Sequence, residues 1–475
     1  MGCFSSSTEE KKENEKNKRK ISHYSSADIR KNFEFLYMLV NGAFGKVRLY
    51  RDKNDNQLLY AIKTLKKKNI PYYEFKLIKT EVDILSELDH PNIVNYFGTF
   101  EDDFYIHIVM EYLKGDDLFK VISVRNYTGF DEQDMSTIIY QLLKALIFIH
   151  SKNIVHRDIK PENILFSNKN DFSSLKLIDF GLATQKKTDN KTVGTPYYMA
   201  PEMIKGKFSP KSDIWSVGII IYLMLTDKFP FVKTKEYDVF EMIENCKYNT
   251  KLLDDCECSD EAKDLVKKIL VKDPDKRPTA NEVMEHLWIK KHLKKRDSNL
   301  INKDTLGTLK EFAKKNALQK EIYYFLAKIH NEKEILNLKQ LFNELDTDNS
   351  GCLSMVEIRK GFKSLGIDIN ESDLENIWEG LDFHKDGEVN YTEFLAAMMS
   401  TYKFTKEENL WIVFNYLKES NSKNDYISIE NLINMCNSMN LPINEVEIRK
   451  NLDGYKPDKL NFDDFKEIMG IKEDD

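Results

Sequence analysis

The sequence predicts an α+β fold in two lobes, followed by an all-α region of helix–loop–helix units. Three observations lead there. Between residues 33 and 293, short β-rich runs (46–50, 105–110) precede longer helical patterns (135–150, 214–225), and strands first with helices later suits a two-lobed α+β unit. From residue 332 onward, helix, acidic loop and helix recur with a period of roughly 35 residues, an internal repeat. The chain's 475 residues, 41% hydrophobic and 12% aromatic, supply enough apolar material for two or three cores.

Residues 1–30 are polar and highly charged with almost nothing to bury, and read as a disordered tail. Residues 294–331 form a helical junction in which Leu306, Leu309, Ala313, Leu318, Ile322, Phe325, Leu326 and Ile329 recur at three- and four-residue spacing, giving one apolar face. Two paired units follow, 332–400 and 401–475. The formal net charge of −7 comes from abundant charges of both signs, which excludes a nucleic-acid binder dominated by basic surface. Six cysteines without metal-ligand spacing, Cys256 and Cys258 among them, point to a reducing, intracellular setting. No apolar run approaches the roughly 20 residues of a membrane span, and no signal-peptide core is present. Membrane contact is therefore expected only by anchoring.

Residues 39–47 read Leu-Val-Asn-Gly-Ala-Phe-Gly-Lys-Val, with Tyr60, Ala61, Ile62 and Lys63 next on a strand and Glu81 in a helical run. His156, Arg157, Asp158, Ile159, Lys160, Pro161, Glu162 and Asn163 follow, then Asp179, Phe180 and Gly181, then Ala200, Pro201 and Glu202. Taken singly, Asp158 is a cap or turn residue and Lys63 a solvated strand lysine; three such strings in this order rarely arise by chance. Over residues 33–293 the chain resembles the protein-kinase family, and most closely the calcium- and calmodulin-dependent kinases. The resemblance implies that Val40, Gly42, Gly45 and Val47 form the loop over the ATP phosphates and that Lys63 holds those phosphates while pairing with Glu81. Met110 and Glu111 fall at the hinge against the adenine, where Met110 also packs as core. Asp158 accepts the proton of the attacking hydroxyl, Lys160 lies near the transferring phosphate, and Asn163 and Asp179 hold Mg²⁺. Val40 stands where the family has its first glycine, and its β-branched side chain restricts the backbone there.

The same resemblance implies serine/threonine specificity, through Lys160 and residues 194–197, and structural roles for a Glu202–Arg277 pair and for Asp213 beneath the catalytic loop. Asp117 and Glu162 match positions that receive substrate arginines, so protein substrates with basic residues near the phosphosite are expected; solvated acids are the alternative. Thr192 and Thr195 lie in the segment where many kinases are phosphorylated, with Thr195 read as part of the substrate-binding loop.

Two acidic loops carry calcium chemistry. Such a loop places oxygen ligands at positions 1, 3, 5, 7, 9 and 12, with glycine at 6 for the sharp turn. Asp346, Asp348, Ser350, the Cys352 carbonyl, Ser354 and Glu357 fit with Gly351 at position 6. Asp382, Asp386, the Glu388 carbonyl, Asn390 and Glu393 fit with Gly387, but His384 replaces the oxygen at position 3, which predicts a weaker site. Aligning Ile427 as the central apolar residue gives a third loop (Ser420, Ser422, Asn424, Asp425, Asn431) without the bidentate Glu. The fourth (Asp453, Tyr455, Pro457, Asp458, Lys459, Asp464) carries poor ligands. Both read as retained architecture.

Kinase, amphipathic junction and four EF-hand units in one chain resemble the calcium-dependent protein kinases of plants and protists over nearly the whole sequence. This implies ATP, Mg²⁺ and Ca²⁺ as cofactors and a monomer whose junction holds the kinase off until calcium binds; Lys310, Lys314 and Lys315 are candidates to mimic a basic substrate in the cleft, against the plainer reading of each as part of a solvated face. Reversing an off-state from 1:99 to 99:1 takes about 5.5 kcal/mol, so two working loops must each contribute roughly 2.7. Residues 1–6 match a myristoylation pattern with Gly2 as acceptor and Cys3 open to palmitoylation, so a cytoplasmic, peripherally membrane-associated protein is expected. The rival reading is a calcium-sensing scaffold with a weak or inactive kinase unit.

Overall fold

In the computed structural model, the described residues are 24–25, 29–42, 45–53, 57–68, 71–125, 131–185, 193–233, 238–292, 303–329, 335–364, 366–400, 407–418, 426–438, 443, 445–455 and 459–470. The lipidation candidates Gly2 and Cys3, the loop tip Ala43–Phe44, Thr192, the third-loop residues Ser420, Ser422, Asn424 and Asp425, and Pro457 and Asp458 lie outside them.

The smaller lobe is a six-stranded sheet in the order β1–β5–β6–β4–β3–β2. Its strands are β1 (Tyr24–Ser25), β2 (Phe33–Gly42), β3 (Gly45–Asp52), β4 (Leu59–Lys66), β5 (Tyr96–Glu101) and β6 (Tyr105–Glu111). Helix α1 (Ile29–Asn32) enters β2, and α2 (Tyr72–Glu87) lies between β4 and β5. All neighbours are antiparallel except β1 beside β5. β4 is central, and its Tyr60, Ile62, Lys63, Thr64 and Leu65 are all buried. This explains why a lysine sits there: the strand delivers its ammonium inward to a partner rather than to solvent.

The larger lobe comprises α3 (Leu118–Arg125), α4 (Glu132–Ser151), the short ribbon β7 (Ile164–Phe166) with β8 (Leu175–Leu177), α5 (Pro201–Ile204), α6 (Pro210–Thr226), α7 (Val239–Glu244), α8 (Thr250–Asp254), α9 (Asp260–Ile269), α10 (Ala280–Met284) and α11 (Leu287–His292). The two long helices are set by their ends and their apolar faces. The Asp131 side chain caps α4 by accepting from the Asp134 N–H, while α6 starts with a Ser209/Ser212 capping box and Pro210. Along α4 thirteen residues are buried, all apolar except Ser136, Gln141 and Lys144. Cys256 and Cys258 lie side by side after α8, with Cα atoms 5.6 Å apart.

The third unit is all helix: the junction helices α12 (Lys303–Ala313) and α13 (Ala317–Ile329), then α14 (Leu336–Leu345), α15 (Met355–Ser364), α16 (Glu371–Leu381), α17 (Tyr391–Met399), α18 (Glu407–Leu417), α19 (Ile429–Ser438), α20 (Glu445–Asn451) and α21 (Phe462–Ile468). Paired loops meet through their central apolar residues, Leu353 with Val389 and Ile427 with Leu460. The second bridge fits the alignment on Ile427 and shows that the degenerate hands keep the pairing. The junction supplies core to both pairs: Leu309, Phe312, Leu318, Ile322, Phe325 and Leu326 are buried with Phe342, Phe394, Phe414 and Phe465.

Candidate active site and calcium loops

The glycine-rich segment is the β2–β3 hairpin, with Val40 opposite Val47 and Gly42 opposite Gly45. Val40 pairs with Val47 directly after a register shift that follows Met38, and is 57% exposed. A β-branched residue is at ease in a strand, so its replacement of a glycine strains nothing at that position. From β4, the Lys63 Nζ reaches Glu81 Oε1 on α2 at 2.5 Å and Asp179 Oδ1 at 3.1 Å. Burial alone would lower the Lys63 pKa; the two carboxylates outweigh it and hold it above its usual value. Burial likewise raises Asp179, but Lys63 outweighs it and leaves that carboxyl below its usual range. Asp179 and Arg157 hold left-handed backbone, φ 60° and 67°, the kind of local strain that clusters at functional sites.

Asp158 is gripped from several sides. Its Oδ1 accepts from the Thr195 N–H (3.1 Å) and hydroxyl (2.8 Å), and its Oδ2 from Lys160 Nζ (2.6 Å) and Asn163 Nδ2 (3.1 Å). Beneath the loop, Asp213 accepts from the backbone N–H groups of His156 and Arg157 at 3.0 and 2.9 Å and lies 2.8 Å from His150 Nε2. Phe180 is fully buried edge-on to His156. Arg277 pairs with Glu202 at 2.9 Å. Glu111 turns its carboxylate to Lys176 (3.1 Å) and the Asn95 N–H (2.6 Å), so its side chain ties the hinge to the larger lobe and is not available to a nucleotide. Asp117 caps α3 through the Lys120 N–H (2.8 Å), a role that neither the substrate-arginine reading nor the solvated one foresaw.

In the first calcium loop, the carboxylates of Asp346, Asp348 and Glu357 gather within 4.8 Å of one another. Asp346 Oδ1 is buried without a partner, and its Oδ2 accepts from the Gly351 N–H at 3.3 Å. An unpartnered buried carboxylate oxygen facing two further carboxylates is the donor set a hard divalent cation needs, so the residues fit calcium. Ser354 and Glu357 also form the hydrogen bonds of a helix N-terminal box: Glu357 Oε2 accepts from the Ser354 N–H and hydroxyl at 3.0 and 2.8 Å. Asn431 and Asp464 keep such bonds with Ser428 and Asn461 in the later hands, which explains why those positions stay polar without ligating.

The second loop departs from expectation. His384 Nδ1 lies 2.9 Å from Glu393 Oε1, and the other ring nitrogen is 3.9 Å from Glu321 of the junction. Burial would lower the His384 pKa, but the bond to Glu393 and the charge of Glu321 outweigh it and raise it. The imidazole thus occupies the position-12 carboxylate oxygen that an ion would otherwise take. Among the described residues only the first loop gathers three ionisable ligands.

The junction lysines are also placed differently. Lys310 pairs with Asp373 on α16 at 2.7 Å, Lys314 with Glu311, and Lys315 sits over the Tyr323 ring. Lys310 is thus engaged by the EF-hand unit, and Lys314 and Lys315 by residues of the junction itself.

Sequence reasoning missed a docking surface on the kinase unit. Asp89 accepts from the Thr392 N–H and hydroxyl at 3.2 and 2.9 Å, and Tyr140 donates to Asn349 at 3.4 Å. Lys144 contacts Asn343 at 2.5 Å and Asp346 at 3.3 Å. Cys352 joins the apolar core of the kinase unit. The available signal was Lys144, a charge on the apolar face of α4.

Comparison with known proteins agrees with this architecture. The protein kinase domain family matches residues 33–289, and the EF-hand domain pair family matches 336–399. "Calcium-dependent protein kinase 7" of Arabidopsis thaliana is 33% identical over 451 residues, covering 93% of this chain and 83% of that protein. The chain belongs to the calcium-dependent protein kinase family. "Calcium-dependent protein kinase 17" of the same plant is 33% identical over 449 residues, with 93% and 84% coverage. The kinase is therefore a calcium-dependent serine/threonine enzyme acting on protein substrates, a chemistry that calls for ATP and Mg²⁺, with calcium taken by the hands. Among the described residues no helix is long and apolar enough to cross a membrane.

Proposed function

We propose that phosphoryl transfer runs through Asp158, Lys63, Asn163 and Asp179, and that its calcium dependence rests on the first loop. Bound MgATP would supply the transferable phosphoryl group and the divalent charge that neutralises it. Asp158 takes the hydroxyl proton of the substrate serine or threonine; Lys160 holds the Asp158 carboxylate toward the cleft and presents a cation beside it. Lys63, fixed by Glu81, holds phosphate oxygens, and the Asn163 carbonyl with Asp179 would hold Mg²⁺. Met110 and the Glu111 backbone would bound the adenine, with Val40, Gly42, Gly45 and Val47 above the phosphates.

The observation that carries the reading is the simultaneous closure of two groups: Lys63 on both Glu81 and Asp179, and Asp158 on Lys160, Asn163 and Thr195. A degenerate scaffold has no need of either. Calcium acts on the first loop, and the junction clasped by the hands transmits the change to the kinase. Basic residues near the phosphosite suit Glu162. The 1–6 segment supports lipid anchorage through Gly2, with Cys3 as a second attachment, which a Gly2→Ala protein that remained on membranes would contradict.

The test is phosphorylation of a basic serine peptide by the purified chain with MgATP across a calcium titration. Turnover rising with calcium, and losing that rise in Glu357→Gln, is the expected result. Absence of turnover supports the scaffold, and flat turnover removes calcium control.

A further inference from the structure

The first calcium loop is pressed onto the kinase unit, and one kinase residue enters it. Lys144, on α4, is 1% exposed, and its Nζ bonds Asn343 Oδ1 at 2.5 Å and approaches Asp346 Oδ2 at 3.3 Å. Asp346 occupies position 1 of the loop. Its Oδ2 is shared by Lys144 and the Gly351 N–H, leaving the buried Oδ1 without a partner as the oxygen for an ion. Around it, Tyr140 meets Asn349, and Gly351 lies against His90 and Phe148.

We propose that Lys144 is a resident counter-cation of the first calcium loop: it ties that hand to the kinase through Asp346 and raises the calcium concentration needed to fill the site. The inference rests on the reading of residues 346–357 as a calcium site. Without the ion, three carboxylates (Asp346, Asp348, Glu357) repel one another in a partly buried loop, and Lys144 offsets one of those charges. With the ion, a divalent cation and a buried ammonium share the two oxygens of one carboxylate, and their repulsion is little screened away from bulk water. Both effects have the same sign: the docked lysine favours the empty loop. Linkage makes the effect reciprocal, so calcium must weaken the hold of this hand on α4 by the same factor by which Lys144 weakens calcium. The calcium threshold then belongs to the kinase–hand interface and not to the loop alone.

Lys144→Met keeps the length of the side chain in the buried slot and removes the charge; Lys144→Gln keeps a donor for Asn343. Calcium binding is measured by titration calorimetry on the full chain, without nucleotide, beside Asp89→Lys, which removes the bonds to Thr392 outside the first loop, and beside Glu357→Gln. The first-loop Kd should tighten about tenfold or more in both Lys144 variants, a fold-change worth about 1.4 kcal/mol. It should change little when Lys144→Met is made in the Asp89→Lys background. Hydrogen exchange over α4 should quicken on adding calcium to the wild type, and less so in Lys144→Met. An unchanged or weaker Kd in both variants, while Glu357→Gln still removes first-loop binding, overturns the role of Lys144 and leaves the site standing. Unaltered binding in Glu357→Gln overturns the site itself. A Lys144→Met effect that persists at full size in the Asp89→Lys background also overturns the proposal.

Discussion

Gly351 and Gly387 hold the same place, position 6, in the first and second loops, with φ of +82° and +88°. They differ in what lies beyond the Cα. A Cβ on Gly351 would sit 2.5 Å from His90 Cδ2 and 2.8 Å from Phe148 Cδ2, whereas one on Gly387 meets nothing within 4 Å. Alanine at either position carries the left-handed backbone cost, about 1–2 kcal/mol. At Gly351 it adds overpacking against two buried rings of the kinase unit, about 1–3 kcal/mol more, unless the hand lifts off and forfeits its bonds to Lys144 and Tyr140. The expected outcome is that Gly351→Ala costs about 1–3 kcal/mol more than Gly387→Ala. The assay is urea denaturation of both variants in chelator, which keeps calcium out of the comparison, with hydrogen exchange over α4 (Glu132–Ser151) reporting docking. Equal costs, with unchanged protection of α4, would show that the first loop does not rest on His90 and Phe148 in solution.

Other outcomes are expected from the same geometry. Asp158→Asn should lower peptide phosphorylation by about 10²–10⁴-fold while leaving calcium affinity unchanged; an active variant would remove Asp158 from the proton-accepting role. His384→Asp restores an oxygen at position 3 and removes the imidazole from Glu393, so second-loop calcium affinity, read by calorimetry, should rise; an unchanged affinity refutes the account of the second loop. His90 is buried, and burial first, then Lys144, Lys339 and Lys176, holds its pKa well below the usual 6.5. The folded state therefore binds it neutral while the unfolded chain takes up a proton below pH 6.5, so its contribution to stability is present above that pH and lost as pH falls, by up to about 1.4 kcal/mol per unit. His90→Asn, which keeps an acceptor for the Asn92 N–H, should flatten that part of the urea-midpoint profile between pH 6.5 and 5.5; a superimposable profile would count against it.

Much of this protein is legible in the linear sequence where chemistry is local. A position-12 Glu, a position-6 Gly and an Asp-x-Asp start can be recognised within twelve residues, because one ion gathers all of them. The same holds for the string 156–163, where Asp158, Lys160 and Asn163 meet within a single loop. Where a role depends on a distant partner, sequence spacing misleads: Glu111 faces Lys176. The junction's apolar spacing was correct, but the destination of its lysines was not readable, since Asp373 lies 63 residues beyond Lys310.

The sequence by itself determined the family, the order of kinase and EF-hand units, and the candidate residues for phosphoryl transfer and calcium. Each follows from residue types that a reaction or an ion requires at short spacing. Only the tertiary structure decided that Lys144 reaches Asp346 across about 200 positions of chain, that His384 turns onto Glu393 and faces Glu321, and that Asp89 receives Thr392. The reason is physical: a buried charge must find a partner, and which partner it finds is set by how folded surfaces meet.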